Sequence, residues 1–537
     1  FINSISEFGE IFGLVGQEKA GQFNFSNQII WETDETYQLD EHEIIKLPNQ
    51  NFLGFVPVYQ LGPIPLGDWT TFYQNLGYLA DGSTNEFMYQ ALKIIEFDFV
   101  NKQEVWSWNQ FDHFSMDYFC NLNSYWNYAY VNGLFDWIHS NSFHFNKQDS
   151  SIYVSNRHFS SITKLKYPSG EIIWDMGLPP QYGTGENNIC DELLFSYQHH
   201  IQIVENGDLL FFDNGNLSDT LLLDELPTSR IRRIQVNQDL SCETVWEYTL
   251  DENLHGNATG SVQLLENGNY FIYTQGSGSN NNGIGCTLLE VSHDKEIVWK
   301  GTVNDGNEIA TLYRAFKIPS VNPDAFSVLF HNYEFYNLSD SITNGIYLSD
   351  QSDISFTIFN KSKFNQLYHI SLFDDQGFFS NINDTIFVES ESQLDLFYHA
   401  TFNNFQTLLI NASIKPVSHP YAKQDFDLYV INENYVSIKE NLDFPKNFNF
   451  NEPFPNPFNS KVKLSFFLSK DSQIKLSIFD LKGHRIRLLV NEKLNNGFHK
   501  FNWDGKNDNG DLVASGMYFI NLTSKSFSES RKLIFLK

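Results

Sequence analysis

A tryptophan repeat constrains the fold of this chain more than any other feature. "NQIIWE" at Trp31, "KQEVWS" at Trp106, "SGEIIWD" at Trp174, "CETVWE" at Trp246 and "DKEIVWK" at Trp299 are five copies of one pattern, a polar turn running through β-branched residues into Trp. Branching at Cβ favours the extended backbone, so each copy reads as a strand. The copies lie 53 to 75 residues apart, about the length of a four-stranded propeller blade with variable loops.

A second repeat interleaves with the first. "HEIIKLPNQNFLGF" (42–55), "HIQIVENGDLLFF" (200–212) and "SVQLLENGNYFIY" (261–273) each read as strand, tight turn, strand, and "NSFHFNKQDSSIYVS" (141–155) fits with a looser turn. Asn-Gly supplies the positive φ angles that a two-residue hairpin turn needs. With 16% aromatic residues, and Asn, Ser, Ile and Asp abundant, composition also favours strands and turns over helices.

These signals predict an all-β chain: a six-bladed β-propeller over residues 1–340, followed by two small immunoglobulin-like β-sandwich domains at 345–440 and 450–537. The second region loses the Trp repeat and turns to short alternating strands such as "DISFTIFN" and "FDLYVIN". Pro455 and Pro457 stiffen the entry to the third. A length of 537 residues agrees with several domains.

A formal charge of −30 argues against nucleic acid and anionic lipid as partners, and the densest basic run, "RIRR" at 230–233, is short. No apolar run is long enough to span a bilayer. Because the chain starts at Phe1 without Met, it reads as processed or truncated, and the lack of a signal peptide decides nothing. Cys120, Cys190, Cys242 and Cys286 lack CxxC spacing, which disfavours zinc. One or two disulfides, or buried thiols, remain open.

Blades present the start of their innermost strand to the central channel, so the hairpin repeat is a ruler for function. His42 and His199 share one template position, His139 in "DWIHSNS" falls one place before it, and Gly260 occupies it in the later copy. The strand itself therefore does not require histidine. Arg157, at the far end of the hairpin that follows His139, returns to the same place. A single histidine at a strand end is ordinarily a satisfied polar residue; three at or next to one register beside an arginine weigh against that reading. Three imidazoles could hold zinc or copper, but a guanidinium opposes a divalent cation and suits an anion with several oxygens. No metal and no cofactor is expected.

"DWIHSNS", "SNRHFSSITKL", "SGEIIWDMG" and "YQHHIQIVENGDLLFFDNG", in this order, resemble the bacterial arylsulfotransferase family. The resemblance spans roughly residues 20–320 and is strongest over 136–216. It implies a six-bladed propeller that moves a sulfuryl group from an aryl sulfate donor to a phenolic acceptor, without the nucleotide sulfate donor. Its sulfate-accepting histidine falls on His199, after Gln198, and its other active-site members on His42, His139 and Arg157. Family members often carry an acid where this chain has His200. His113 in "WNQFDHF", His200 and Asn141 are assigned to substrate binding.

The expected mechanism is ping-pong: His199 attacks sulfur to form a sulfohistidine, Arg157 and His139 supply positive charge, and His42 is the acid and base. Two rival readings stand beside it, a non-catalytic ligand-binding propeller and a quinoprotein-like dehydrogenase. The second lacks the carboxylate expected around a calcium-bound quinone.

The tail carries Phe454-Pro-Asn-Pro-Phe458, Phe479-Asp-Leu-Lys-Gly483, Trp503-Asp-Gly505 and Ser515-Gly-Met-Tyr-Phe519. It resembles FlgD-like modules and the C-terminal sorting domains of proteins exported by the bacterial type IX route. That resemblance implies secretion or surface attachment, export through the periplasm, and the type IX machinery as a partner.

Overall fold

The computed structural model describes residues 2–15, 19–122, 125–276, 284–303, 312–331, 333–339, 342–348, 353–375, 377, 379–399, 407–432, 448–525 and 527–537. The chain is all-β with several open sheets, and it divides into two compact units: 1–325 with 362–366, and 326–361 with 367–537.

The first unit holds five sheets among its described residues, each built on an antiparallel four-stranded meander in sequence order; the second also has a short parallel strand, Phe135–Asp136. The first takes Ile2–Ile5, Ile11–Val15, Lys19–Phe23 and Ile29–Glu32; the second Ile44–Lys46, Phe52–Pro63, Asn85–Phe97 and Glu104–Asn109. The third takes Ser140–Asn146, Ser151–Asn156, Ser161–Lys166 and Ile172–Met176; the fourth His199–Ile203, Leu209–Asp213, Arg230–Val236 and Cys242–Thr249. The fifth takes Gly260–Leu264, Tyr270–Gly276, Ile284–Val291 and Ile297–Thr302. Both repeats map onto this plan. The four hairpins form the first two strands of sheets two to five, and the five tryptophans all lie on fourth strands.

Each sheet buries apolar residues against the next. Phe12 and Trp31 pack with Phe52 and Phe97, and Phe55 and Ile94 with Phe143 and Val154. In "LLFF", Phe211 joins the core shared with the third sheet and Phe212 the core shared with the fifth. Alternation along a strand sends neighbouring side chains to opposite faces, so a strand covered on both sides is apolar throughout. Trp31 Nε1 donates to Phe99 O at 2.8 Å, Trp106 to Pro168 O at 2.7 Å and Trp246 to His293 O at 2.8 Å, each reaching a loop of the following sheet. Trp299, on the last of the five, is 48% exposed. A sixth such sheet is not among the described residues.

The stretch Tyr313–Lys317 ties the first strands together. Arg314 donates from Nη1 to Asn3 O (2.9 Å) and Glu43 Oε2 (2.7 Å), and from Nη2 to Asn141 O (3.0 Å). Ala315 and Lys317 donate their backbone N–H groups to Ser261 Oγ (3.2 Å) and Gln263 Oε1 (2.9 Å) of the fifth sheet. Cys190 and Cys242 form a disulfide, while Cys120 and Cys286 are buried thiols.

In the second unit two pairs of sheets each enclose one core. A three-stranded and a six-stranded sheet surround Phe356, Tyr368, Ile410 and Val430. A three-stranded and a four-stranded sheet surround Leu464, Leu476, Trp503 and Ile520. Much of the expected boundary between these two, 440–450, lies outside the described residues.

Removing Arg314 would leave Glu43, itself 4% exposed, as a buried charge without its cation. Arg314→Ala should destabilise the protein by about 3–5 kcal/mol, seen as a lower urea midpoint. An unchanged midpoint would contradict the tying role.

Candidate active site

The starts of the first strands of sheets two, three and four meet at one end of the first unit. His42 and His139 rings lie 5.1 Å apart, and His139 stacks on His158 at 4.6 Å. Tyr313 stands between His42 and His199, with ring centroids 5.4 and 6.2 Å away. The structure thus brings together His42, His139, Arg157 and His199.

His199 is 1% exposed. Its Nδ1 faces two oxygens, Asn214 Oδ1 at 2.7 Å and Tyr197 O at 3.1 Å. Asn214 is itself oriented, because its Nδ2 donates to Gly256 O (2.5 Å) and Thr259 O (3.1 Å). Two acceptors around one nitrogen require that nitrogen to carry the proton, which leaves the Nε2 lone pair outward. Among the described residues nothing hydrogen-bonds Nε2. Burial, reinforced by the Arg157 charge, holds His199 well below the usual histidine range, so the ring is neutral.

Two Asp–His pairs face the same space. Asp40 holds His42 Nδ1, and Asp136 Oδ2 holds His139 Nδ1 at 2.5 Å. Burial would lower His42, but the Asp40 charge and hydrogen bond outweigh it and raise its pKa above the ordinary value. At His139 burial wins over Asp136 and the pKa is lowered. Asp40, His42, Asp136 and His139, with Gln90 and Ser140, line one polar cavity of about 60 Å³.

Arg157 follows the hairpin as expected: its N–H donates to His139 O at 3.2 Å. Nη1 donates to Tyr125 Oη (3.2 Å) and His158 Nε2 (2.8 Å), Nη2 to Asn257 O (3.2 Å), and the guanidinium lies 4.9 Å over Tyr197. His158 donates from Nδ1 to Asp136 O at 2.8 Å, so its Nε2 is the acceptor that fixes Arg157. Arg157 Nε is a buried donor without a hydrogen-bond partner among the described residues.

The other assigned residues stand apart. A β-bulge between His199 and Gln202, with positive φ at Tyr197 and His200, turns the histidine pair to different sides. His200 Nδ1 accepts from Val262 N at 3.2 Å, and its ring meets Phe316, so it joins the fourth sheet to the fifth. Asn141 is fully buried; its Nδ2 donates to Gln198 O at 2.8 Å, and its carbonyl accepts from Tyr313 and Arg314. His113 is exposed and stacks on Trp108 at 4.6 Å. None of these three contacts the histidine cluster through its side chain in the bonds described.

Sequence reasoning missed Asp40, Asp136, His158, Asn214 and Tyr313. An acid two or three residues before a candidate histidine, as in "DEH" and "DWIH", was the available signal. Asp136, His139 and His158 could offer metal ligands within 4.8 Å of one another. Each is already bonded to another member or to Arg157, and a divalent cation would meet that guanidinium.

Residues 83–314 match the arylsulfotransferase (ASST) family model, which takes in His139, Arg157 and His199 but not His42. Residues 457–527 match the FlgD Ig-like domain. No curated protein matches the chain. Among solved structures, PorZ of Porphyromonas gingivalis, described as an essential surface component of the type IX secretion system, aligns at 9% identity over 98% of this chain and 64% of its own, TM-score 0.24. Dimeric latent PorU of Porphyromonas gingivalis aligns at 9% identity over 57% of this chain and 31% of its own, TM-score 0.18. Kuenenia stuttgartiensis hydrazine synthase aligns at 8% identity over 70% of each chain, TM-score 0.24. The chain thus spans less than two thirds of PorZ and of PorU, and at these scores none of the three bears on the site.

Nitrogen NMR of histidine-labelled protein should find His199 as the Nδ1-protonated neutral tautomer at pH 6. Protonation on Nε2, or a cationic ring, would contradict the geometry.

Proposed function

We propose that the chain is an aryl sulfotransferase that carries a sulfuryl group from a phenolic sulfate ester to an acceptor phenol through a sulfohistidine at His199. The observation that carries this reading is the double acceptor at His199 Nδ1, which leaves Nε2 unprotonated on a ring that stands by Tyr313 and feels the Arg157 charge. The family match over 83–314 supports sulfuryl transfer in general.

In the first half-reaction the Nε2 lone pair forms the N–S bond while the bond from sulfur to the aryl oxygen breaks. The departing phenolate takes a proton from His42, whose pKa Asp40 raises. In the second, His42 removes the acceptor phenol's proton, the phenol oxygen bonds to sulfur, and the N–S electron pair returns to Nε2. The loose transition state needs positive charge around sulfonyl oxygens, which the Arg157 guanidinium supplies, its charge already felt at His199 and His139. An incoming anion offsets the burial that lowers His139, so that this ring also donates to sulfate oxygen.

As parts of the same reading, the five sheets are blades of a six-bladed propeller, and the two-sheet packages of the second unit are immunoglobulin-like. Export to the cell surface by the type IX machinery is supported by the tail motifs, and the Cys190–Cys242 disulfide suits an oxidising compartment.

His199→Ala should lower 4-nitrophenol release from 4-nitrophenyl sulfate by at least about a thousandfold. Wild-type turnover in that variant, or its loss in His200→Ala alone, would sink the assignment. Phenyl sulfate has a more basic leaving group and needs the protonated His42, so its kcat/KM should fall as pH rises through the raised His42 pKa. Asp40→Asn removes the charge that raises that pKa and should move the alkaline limb to lower pH; an unmoved limb would exclude His42 as the acid.

A further inference from the structure

The hairpin of Phe52–Pro63 and Asn85–Phe97 outruns its neighbours. Ile44–Lys46 pairs only with Phe52–Gly54, and Glu104–Asn109 only with Lys93–Phe97. From Phe55, whose carbonyl accepts from Asp40 N at 2.9 Å, the strand continues to Pro63, a rise of roughly 25 Å above the level of the histidines.

Opposed residues of an antiparallel pair share a face, and faces alternate along the strand. One face carries Val58, Ala91, Tyr89 and Phe87, packed in a core with Trp126 and Trp137. The opposite face carries Tyr59 against Gln90 and Leu61 against Met88. The short strand Phe135–Asp136 pairs in parallel with this hairpin and sets Asp136 beside Gln90. Gln90 and Asp136 line the cavity with His42 and His139. This second face therefore starts in the cavity and climbs away from it.

Above Gln90 it is apolar and uncovered: Tyr59 is 57% exposed, Leu61 47% and Met88 37%. A strand face turned to water ordinarily carries polar residues. The cavity below is polar, and an aryl sulfate has one polar end and one apolar end.

We propose that Tyr59, Leu61 and Met88 form the platform for the ring system of the phenolic substrates, and that it selects phenols bearing a second apolar ring over phenol itself. The inference rests on the sulfuryl-transfer reading for the identity of its ligand. The tyrosine ring stacks on the substrate's outer ring, and the Met88 thioether and Leu61 cover its edge.

The test is calorimetric binding of 4-phenylphenol and of phenol to the full chain, without donor, in wild type and in the Tyr59→Ser/Leu61→Ser/Met88→Ser variant. Wild type should bind 4-phenylphenol about tenfold more tightly than phenol, roughly 1.4 kcal/mol, and the variant should lose that preference while keeping its thermal transition. Equal affinity for the two phenols in wild type, or an undiminished preference in the variant, would overturn the platform. In the transfer assay the ratio of the two acceptors' KM values should collapse in parallel. A wild-type protein that turns over no aryl sulfate would defeat the sulfuryl-transfer reading, and the binding preference would still decide the platform.

Discussion

The buried guanidinium of Arg314 is the interaction on which the rest of the first unit depends. It reaches the first strand of the first sheet at Asn3, the approach to the second at Glu43, and the first strand of the third at Asn141. A buried ion pair contributes little net stability over an apolar substitute, yet losing one partner is costly, so such a pair fixes geometry more than it adds strength. Here the geometry is a common register for strand starts contributed by separate sheets. Tyr313 shares the constraint, since its hydroxyl donates to the same Asn141 carbonyl at 2.7 Å and its ring then stands between His42 and His199.

Within that frame, charge is distributed so that each histidine does a different task. His42 and His139 both lean on a carboxylate, but their pKa values move in opposite directions, upward at His42 and downward at His139. His199 has no carboxylate against its ring and bonds only neutral oxygens, which fixes its tautomer without giving it charge. His158 is an acceptor for Arg157, a role open only to a neutral ring, and burial keeps it neutral. Groups whose environments drive their pKa values apart are the usual mark of acid, base and nucleophile sharing a site.

Much of this was legible in the sequence because repetition exposes departures. The Trp copies marked fourth strands, the Asn-Gly turns marked first hairpins, and Gly260 at the template position of His199 showed that the strand did not need the histidine. The repeat said nothing about Asp40 and Asn214, which lie in loops, or about Asp136, which lies in a short extra strand. Tyr313 and Arg314 sit in a stretch with no strand of its own, and their contacts reach residues up to 311 positions away. Alternation alone already sends His199 and His200 to opposite sides, whereas the bulge between His199 and Gln202 is a backbone feature that it does not disclose. Side-chain direction at Asn141 was hidden likewise: its place in "HSNS" is beside His139, while its amide is directed at Gln198.

The central claim, that His199 Nε2 carries the sulfuryl group between donor and acceptor, has a direct measurement. The protein is mixed with 4-nitrophenyl sulfate in the absence of any phenol acceptor, quenched at alkaline pH, digested and mapped by mass spectrometry. A sulfuryl group on the peptide containing His199, discharged when phenol is added before the quench, is the predicted result. A full burst of nitrophenol with His199 unmodified, or the group found on another residue, would contradict it.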